Sequence, residues 1–409
     1  MRILYINHYA GSPRHGMEFR PYYLAREWTR LGHEVHIVAS AHTHLRARQP
    51  ELMGQSRLDE TIDGIRYTWF AAPGYSGNGI GRVRNMGAFI ARLYRESKRL
   101  AAGFKPDVVI ASSTYPMDIW PAHRIARLAG ARLVFEIHDL WPLTPIELGG
   151  MSRRHPFIMM AQAAEGFAYR NADSVVSMLP KVQTHAESRG MAPHKLHVVP
   201  NGIDPGEWMD DGPALHAHAE DTLAKLRGQG LSIVGYAGTH GISNALHTFV
   251  DAAKLMRGEQ VAFVLVGGGP EKAGLQQWAH SERLSNIHFI DPVVKAQVPA
   301  LLQWFDVAYI GWRQHSLYRF GIAPNKLMDY MMAARPVLHA VDAGNDPVGE
   351  AACGLTVAPE NPPAAAQGIR TLLGLHQDER AAMGRRGKAF VLENLTYTVL
   401  AERFLAACH

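Results

Sequence analysis

The sequence predicts an α/β protein made of two doubly wound parallel-sheet domains, and three observations carry that expectation. The chain has 409 residues, too many for one ordinary core and suited to two domains of roughly 200 residues each. Short apolar β-type runs alternate with amphipathic helical patterns along its length, which calls for right-handed βαβ crossovers and parallel strands. The alternation occurs in two series, separated by Pro200-Asn201-Gly202-Ile203-Asp204-Pro205-Gly206, a stretch dense in turn-forming residues.

In the first series, strands are expected at residues 2–9, 35–39, 107–111, 132–138, 174–178 and 197–199. Helices are expected at 19–31, 81–104, 116–129, 157–170 and 180–189, with Gly32 as the C-cap of the first. The polar stretch 210–230 is helical in tone and bridges into the second sheet. There the strands fall at 231–236, 261–266, 287–290, 306–310 and 336–341, and the helices at 243–256, 270–282, 295–305 and 325–334. From Asp378 the pattern is helical with no strand after it, so the tail is expected to pack back on the first domain. The resulting division is 1–204, 205–385 and a returning tail, 386–409.

Composition excludes several classes. Two cysteines, Cys353 and Cys408, cannot build a disulfide framework, and no charged start leads into an apolar run, so the expected compartment is the cytoplasm. No run of 18 apolar residues marks a membrane span, which leaves surface attachment open. Residues 1–205 hold 25 Lys/Arg against 17 Asp/Glu, a net +8, whereas the remainder is net −3. Much of the excess lies at Arg82, Arg84, Arg92, Arg95, Lys98, Arg99 and Lys105, interleaved with Met86, Phe89, Ile90, Leu93 and Leu100. That pattern fits either an outer helix or a helix lying on an anionic membrane surface. A second such candidate is Arg153-Arg154-His155-Pro156-Phe157-Ile158-Met159-Met160. So modest a net charge without a recognisable motif argues against nucleic acid, and scattered histidines without metal-ligand spacing argue against zinc.

Ligands of open parallel sheets bind where strands end and helices begin. One such place is Ala323-Pro324-Asn325-Lys326-Leu327-Met328-Asp329, where Pro324 is expected at the first helical position. A helix start presents free amides and the positive dipole end to an anion. Lys326 and Asp329 then share one helical face, the cation suited to a phosphate and the carboxylate to a sugar hydroxyl. The turn Gly238-Thr239-His240-Gly241 after the strand 231–236 allows close backbone approach. Val266-Gly267-Gly268-Gly269-Pro270-Glu271 ends the next strand but does not fit G-x-G-x-x-G, so a dinucleotide fingerprint is disfavoured. In the first domain the loop holding Gly11, Gly16, Met17 and Arg20 is expected to admit a substrate beside its backbone, and His138-Asp139 sits at a strand's carboxyl end.

Taken together, the segments 16–28, 32–35, 138–142, 200–204, 267–270 and 324–337 resemble the retaining GT-B glycosyltransferases of family 4, especially the bacterial surface-polysaccharide branch. The resemblance covers the whole chain. It implies two Rossmann-like domains with a cleft between them, a nucleotide-sugar donor on the second domain, an acceptor on the first, and no required metal or other cofactor. By that analogy Lys326 and the 238–241 turn hold the pyrophosphate, Asp329 holds the ribose, and Gly267, Gly269, Asn325 and Leu327 complete the donor site. The family pattern has two glutamates eight residues apart, of which the second falls on Asp329 and the first on Gly321. Arg313, Arg319 and Asn325 are candidates to replace the missing one.

The expected function is therefore retaining transfer from a nucleotide donor, UDP-linked by expectation, to a polyprenyl-linked or other saccharide acceptor in surface polysaccharide synthesis. Lys326 would stabilise the leaving diphosphate and His138 would position a reacting hydroxyl. Two other classes stay open, a nucleotide-sugar 2-epimerase of the same fold and a non-catalytic nucleotide-sugar binder.

Overall fold

Two sheets, each with its own core, divide the chain at the turn-rich stretch. The computed structural model describes residues 1–77, 79–208 and 213–409. One unit comprises Met1–Asn201 with Tyr397–His409, and the other Gly202–Thr396.

The first sheet contains β1 (Arg2–Ile6), β2 (Glu34–Ser40), β3 (Arg57–Ile62), β4 (Ile65–Phe70), β5 (Val108–Ala111), β6 (Arg132–Ile137), β7 (Ser174–Ser177) and β8 (Leu196–Val198). Their order is β3-β4-β2-β1-β5-β6-β7-β8, and all neighbours run parallel except the β3–β4 hairpin. The second sheet contains β9 (Ser232–Ala237), β10 (Val261–Val266), β11 (Ile287–Ile290), β12 (Val307–Gly311), β13 (Val337–Ala340) and β14 (Gly354–Val357). It is parallel throughout, in the order β11-β10-β9-β12-β13-β14. Strands such as β5 and β10 are buried at every residue, as a sheet covered by helices on both faces requires. The strand order reverses at β1 in the first sheet and at β9 in the second, so the carboxyl ends of those strands are the switch points where ligands bind.

Elements outside the sequence reading include the β3–β4 hairpin, the edge strand β14, the helix Pro362–Gly374 and the short helices Leu143–Glu147 and Pro347–Glu350. The hairpin turns at Asp63-Gly64, both with positive φ, the backbone that a two-residue type I′ turn demands. The expected bridge from residue 210 lies partly outside the described residues; its described remainder forms the helix Ala217–Gly228.

The tail divides later than expected. A boundary at 385/386 falls inside the helix Gln377–Asn394, whose Gly384 and Gly387 press against Ala334 and Cys353 of the second unit. Only the helix Tyr397–Ala406 belongs to the first unit. Tyr397 stacks on Tyr23 with ring centroids 4.7 Å apart, Trp28 donates Nε1–H to the Ala401 carbonyl at 3.1 Å, and Phe404 meets Trp28 edge-on at 5.1 Å. Each large apolar side chain so buried contributes about 1.5–3 kcal/mol.

The basic helix Ile80–Phe104 packs against the first unit's interior. Met86, Phe89, Leu93 and Leu100, its apolar stripe, are buried in the unit's interior. Those four side chains are spent on the core, Ile90 is partly buried, and the outer face carries the basic residues together with exposed Ile80, Val83 and Tyr94. No described helix is long and apolar enough to cross a membrane.

Candidate active site

At the switch point of the second sheet, β9 runs into Gly238, whose φ of +148° is left to glycine. A Cβ at Gly238 would stand 2.8 Å from Cδ and Cε of Lys326, so a side chain here would displace the lysine. The turn 238–241 lies directly on the glycine run that follows β10. The Gly238 amide donates to the Val266 carbonyl at 2.9 Å and the His240 amide to the Gly268 carbonyl at 2.8 Å. Those two amides are therefore spent within the protein, whereas the amides of Thr239, Gly241, Gly268 and Gly269 have no acceptor among the described residues.

A cavity of about 410 Å³ opens here, with Gly238, Thr239, Gly267 and Gly268 on one side, Pro292, Val293 and Val298 as an apolar wall, and Lys326, Asp329 and Tyr330 across from them. His240 lies outside that lining, fully buried, with neither ring nitrogen hydrogen-bonded. Burial, aided by the Lys272 charge, pushes its pKa down to about 4. It is an uncharged imidazole at neutral pH.

The helix Asn325–Met332 supplies the charged wall. Pro324 stands at its cap and not at its first helical position, and no side chain caps the amides behind it. These amides keep the affinity for an anion that helix starts possess. Lys326 Nζ donates to Asn244 Oδ1 at 3.1 Å and lies 5.5 Å from the Tyr236 ring centre. Burial draws its pKa down, opposed by Asp329. Burial likewise pushes the Asp329 carboxyl up to about 7, Lys295 pulling the other way. Tyr330 joins the helix to the sheet, its hydroxyl accepting from the Ala237 amide at 2.9 Å and donating to the Ala237 carbonyl at 3.3 Å.

Several expected donor residues lie elsewhere. Leu327 is buried in the second unit's core and does not line the cavity. Gly241 and Gly269 sit beyond the lining, in the two facing turns. Asn325, Arg313 and Arg319 are exposed and also outside it, Arg319 lying over the Phe320 ring at 4.3 Å. Gly321 has φ +100°, so a glutamate could not occupy that position without backbone strain. Tyr236 and Tyr330 were not singled out by sequence reasoning, because their roles depend on which strand and helix ends meet.

In the first unit a charged network surrounds His138. Glu136, fully buried on β6, accepts from Tyr5 at 2.7 Å, Ser112 at 2.6 Å and Arg20 Nε at 2.9 Å. Arg20 also donates to the carbonyls of Val199 at 2.8 Å and Pro200 at 2.6 Å. His138 Nε2 stands 2.9 Å from Ser112 Oγ and 3.3 Å from Glu136 Oε2. Burial acts to raise the Glu136 pKa, but Arg20 and then His138 outweigh it and hold it far below the carboxylate range. For His138 burial acts downward, and the Glu136 charge overcomes it, leaving the imidazole pKa raised.

The loop before Arg20 differs from expectation. Arg20 itself is a buried clamp, 1% exposed, and faces no acceptor. A Cβ on Gly11 would fall 1.8 Å from the Gly16 carbonyl, so the loop closes on itself where a substrate was expected. Met17 and Asp139 are exposed. Glu18, which sequence reasoning passed over, acts electrostatically on His138, while Arg82 donates to the Tyr9 hydroxyl at 3.0 Å.

Two family descriptions match the chain, Glycosyl transferase 4-like domain over residues 15–202 and Glycosyl transferases group 1 over residues 232–374. Between them they take in the first sheet from β2 onward and the whole second sheet with its switch point; β1 precedes the first match. The chain belongs to the family 4 GT-B glycosyltransferases. This glycosyltransferase is similar to WcaI of Escherichia coli (strain K12), named for colanic acid biosynthesis, with 25% identity over 303 residues, 71% of this chain and 72% of WcaI. It is similar also to the D-rhamnosyltransferase WbpZ of Pseudomonas aeruginosa, 23% identical over 299 residues, 69% and 74% of the two chains. The crystal structure of Anabaena Alr3699/HepE in complex with UDP-glucose shares the fold, with a TM-score of 0.65 and 16% identity over 99% of this chain and 98% of that one.

Proposed function

We propose that the enzyme transfers a sugar, with retention of configuration, from a UDP-sugar to a lipid-linked or other saccharide acceptor in surface polysaccharide synthesis. The observation that carries this reading is the cavity beside Gly238, where Lys326 and unspent amides of two facing turns converge at a helix start. A nucleoside diphosphate leaving group gains charge as the glycosidic bond breaks, and donors already fixed in place stabilise that charge without reorganising. Asp329 then accepts from the ribose hydroxyls. UDP is favoured over other nucleotides because HepE, of the same fold, is described in complex with UDP-glucose, and polysaccharide synthesis because WcaI is named for it.

On the acceptor side, the Glu136 carboxylate favours the protonated form of His138, which donates hydrogen bonds. In this reading it orients a hydroxyl, while the departing phosphate takes the acceptor proton. The chemistry uses no metal, and the enzyme works in the cytoplasm at the face of the membrane. The test is calorimetric titration with UDP and other nucleoside diphosphates in the presence of EDTA, followed by NMR of the product anomer. Tight UDP binding in EDTA and an anomer matching the donor support the reading; binding that requires a divalent ion, or an inverted product, refutes the corresponding part.

A further inference from the structure

The second basic-apolar stretch noted in the sequence, residues 153–160, has a different fate from the helix Ile80–Phe104. It leads into the helix Pro156–Asn171 beside a cavity of about 300 Å³, walled by Pro142, Leu143, Ile146, Ile158 and Met159. Met159 is 60% exposed, and Leu148 and Met160 are exposed nearby, so apolar surface continues outward from the cavity. Arg153 and Arg189 stand among its lining residues, and neither forms an ion pair among the described residues. No carboxylate stands among the lining residues, and Glu165 Oε1 binds the lining residue His185 through Nε2 at 2.7 Å. The wall begins at Pro142, four residues after His138, so the segment that carries the acceptor-side histidine runs directly into it.

We propose that this cavity binds a lipid phosphate, with the hydrocarbon chain along Leu143, Ile146, Ile158 and Met159 and the phosphate on Arg153 and Arg189. Two guanidinia with no ion pair among the described residues, beside an apolar hollow, complement an anionic amphiphile better than a neutral sugar, since guanidinium groups pair with phosphate through parallel hydrogen bonds. A hollow holds one chain; it is not a flat face laid on a leaflet. The inference rests on the reading of a lipid-linked acceptor and assigns that lipid a place.

The test uses farnesyl phosphate below its micelle concentration, read by the methyl NMR signal of Met159 and by calorimetry. Wild-type enzyme is expected to bind it and to shift the Met159 signal. Ala163→Trp, at an exposed helical position of the cavity lining, is expected to weaken binding about tenfold or more by filling the space, and Arg153→Ala with Arg189→Ala about tenfold. UDP affinity and melting temperature should stay at wild-type values in both. Farnesol binding as tightly as farnesyl phosphate would overturn the arginine assignment. Unchanged binding in Ala163→Trp, or no Met159 shift, would overturn the site. Loss of binding to phosphatidylglycerol vesicles in these variants with farnesyl phosphate affinity intact would assign the patch to membrane attachment instead. Because UDP is titrated in the same samples, failure of the lipid site is distinguishable from failure of the nucleotide reading.

Discussion

Glu136 in the first unit accepts hydrogen bonds from Tyr5, Ser112 and Arg20, whereas Lys326 in the second has Asn244 as its hydrogen-bond partner and His240 beside it has none. The contrast separates two uses of polar groups. A buried network with every member paired fixes a geometry, and here it fixes His138. A pocket whose amides are left unpaired, and whose cation has one neutral hydrogen-bond partner, keeps its binding capacity for a ligand, at a cost of about 1–3 kcal/mol for each buried polar group without a partner.

The largest effect should follow from breaking the paired network. Glu136→Ala leaves Arg20 buried without its carboxylate, and removal of one partner of such a pair costs about 3–5 kcal/mol. Thermal unfolding is expected to fall by roughly 6–20 °C. A shift under 2 °C would mean that the pair is not sealed from water. The pH dependence follows the same logic. The stability contributed by the depressed Glu136 carboxyl is present above the usual carboxylate pKa and lost as pH falls below it, whereas that of His138 is present below about 6.5 and lost as pH rises through its raised pKa.

The next effect should fall on the unpaired pocket. Lys326→Ala removes a charge-assisted contact to the diphosphate, a bond type contributing about 1.5–3 kcal/mol, and should weaken UDP binding roughly 10 to 150-fold with little loss of stability. Wild-type affinity would remove Lys326 from the site.

Asp329 sharpens the comparison in the opposite direction. Its pKa near 7 means that the folded state holds a proton over a range where the unfolded chain has released it. Stability should therefore decline between about pH 4 and pH 7. Asp329→Asn is expected to raise the melting temperature more at pH 8 than at pH 5 while weakening UDP binding. Equal shifts at both pH values would show that the carboxyl is solvated like any surface acid.

Legibility followed the range of the interactions. Local patterns placed both parallel sheets, and the Lys326–Asp329 spacing was readable because three helical residues define a face. Leu327, in the same segment, turned out to be core, since periodicity alone does not say which face meets a ligand. Arg20 looked like a substrate residue because its partner, Glu136, lies 116 residues away and only strand register joins them. The β3–β4 hairpin did carry a signal, Asp63-Gly64 between two short β-type runs, but the polar alternation of Arg57–Ile62 concealed it. The basic helix was ambiguous in a third way, its apolar stripe fitting a membrane and a core equally well.

That helix yields the smallest expected effect. Replacing Arg92, Arg95 and Arg99 with Gln should barely change flotation with anionic vesicles, because a helix committed to the core does not lie on the leaflet; were it there, the three charges would contribute about 3 kcal/mol. UDP affinity should stay unchanged. Complete loss of flotation would make this face, and not the Met159 patch, the principal membrane contact.

The central claim is that the nucleotide belongs to the pocket beside Gly238 and that His138 serves the other substrate. UDP titrated by calorimetry into the wild type, Lys326→Ala and His138→Ala tests it most directly. Binding should be tight in the first, weakened roughly 10 to 150-fold in the second, and unchanged in the third, with transfer lost in His138→Ala. Equal loss of UDP affinity in His138→Ala, or wild-type affinity in Lys326→Ala, would contradict the account.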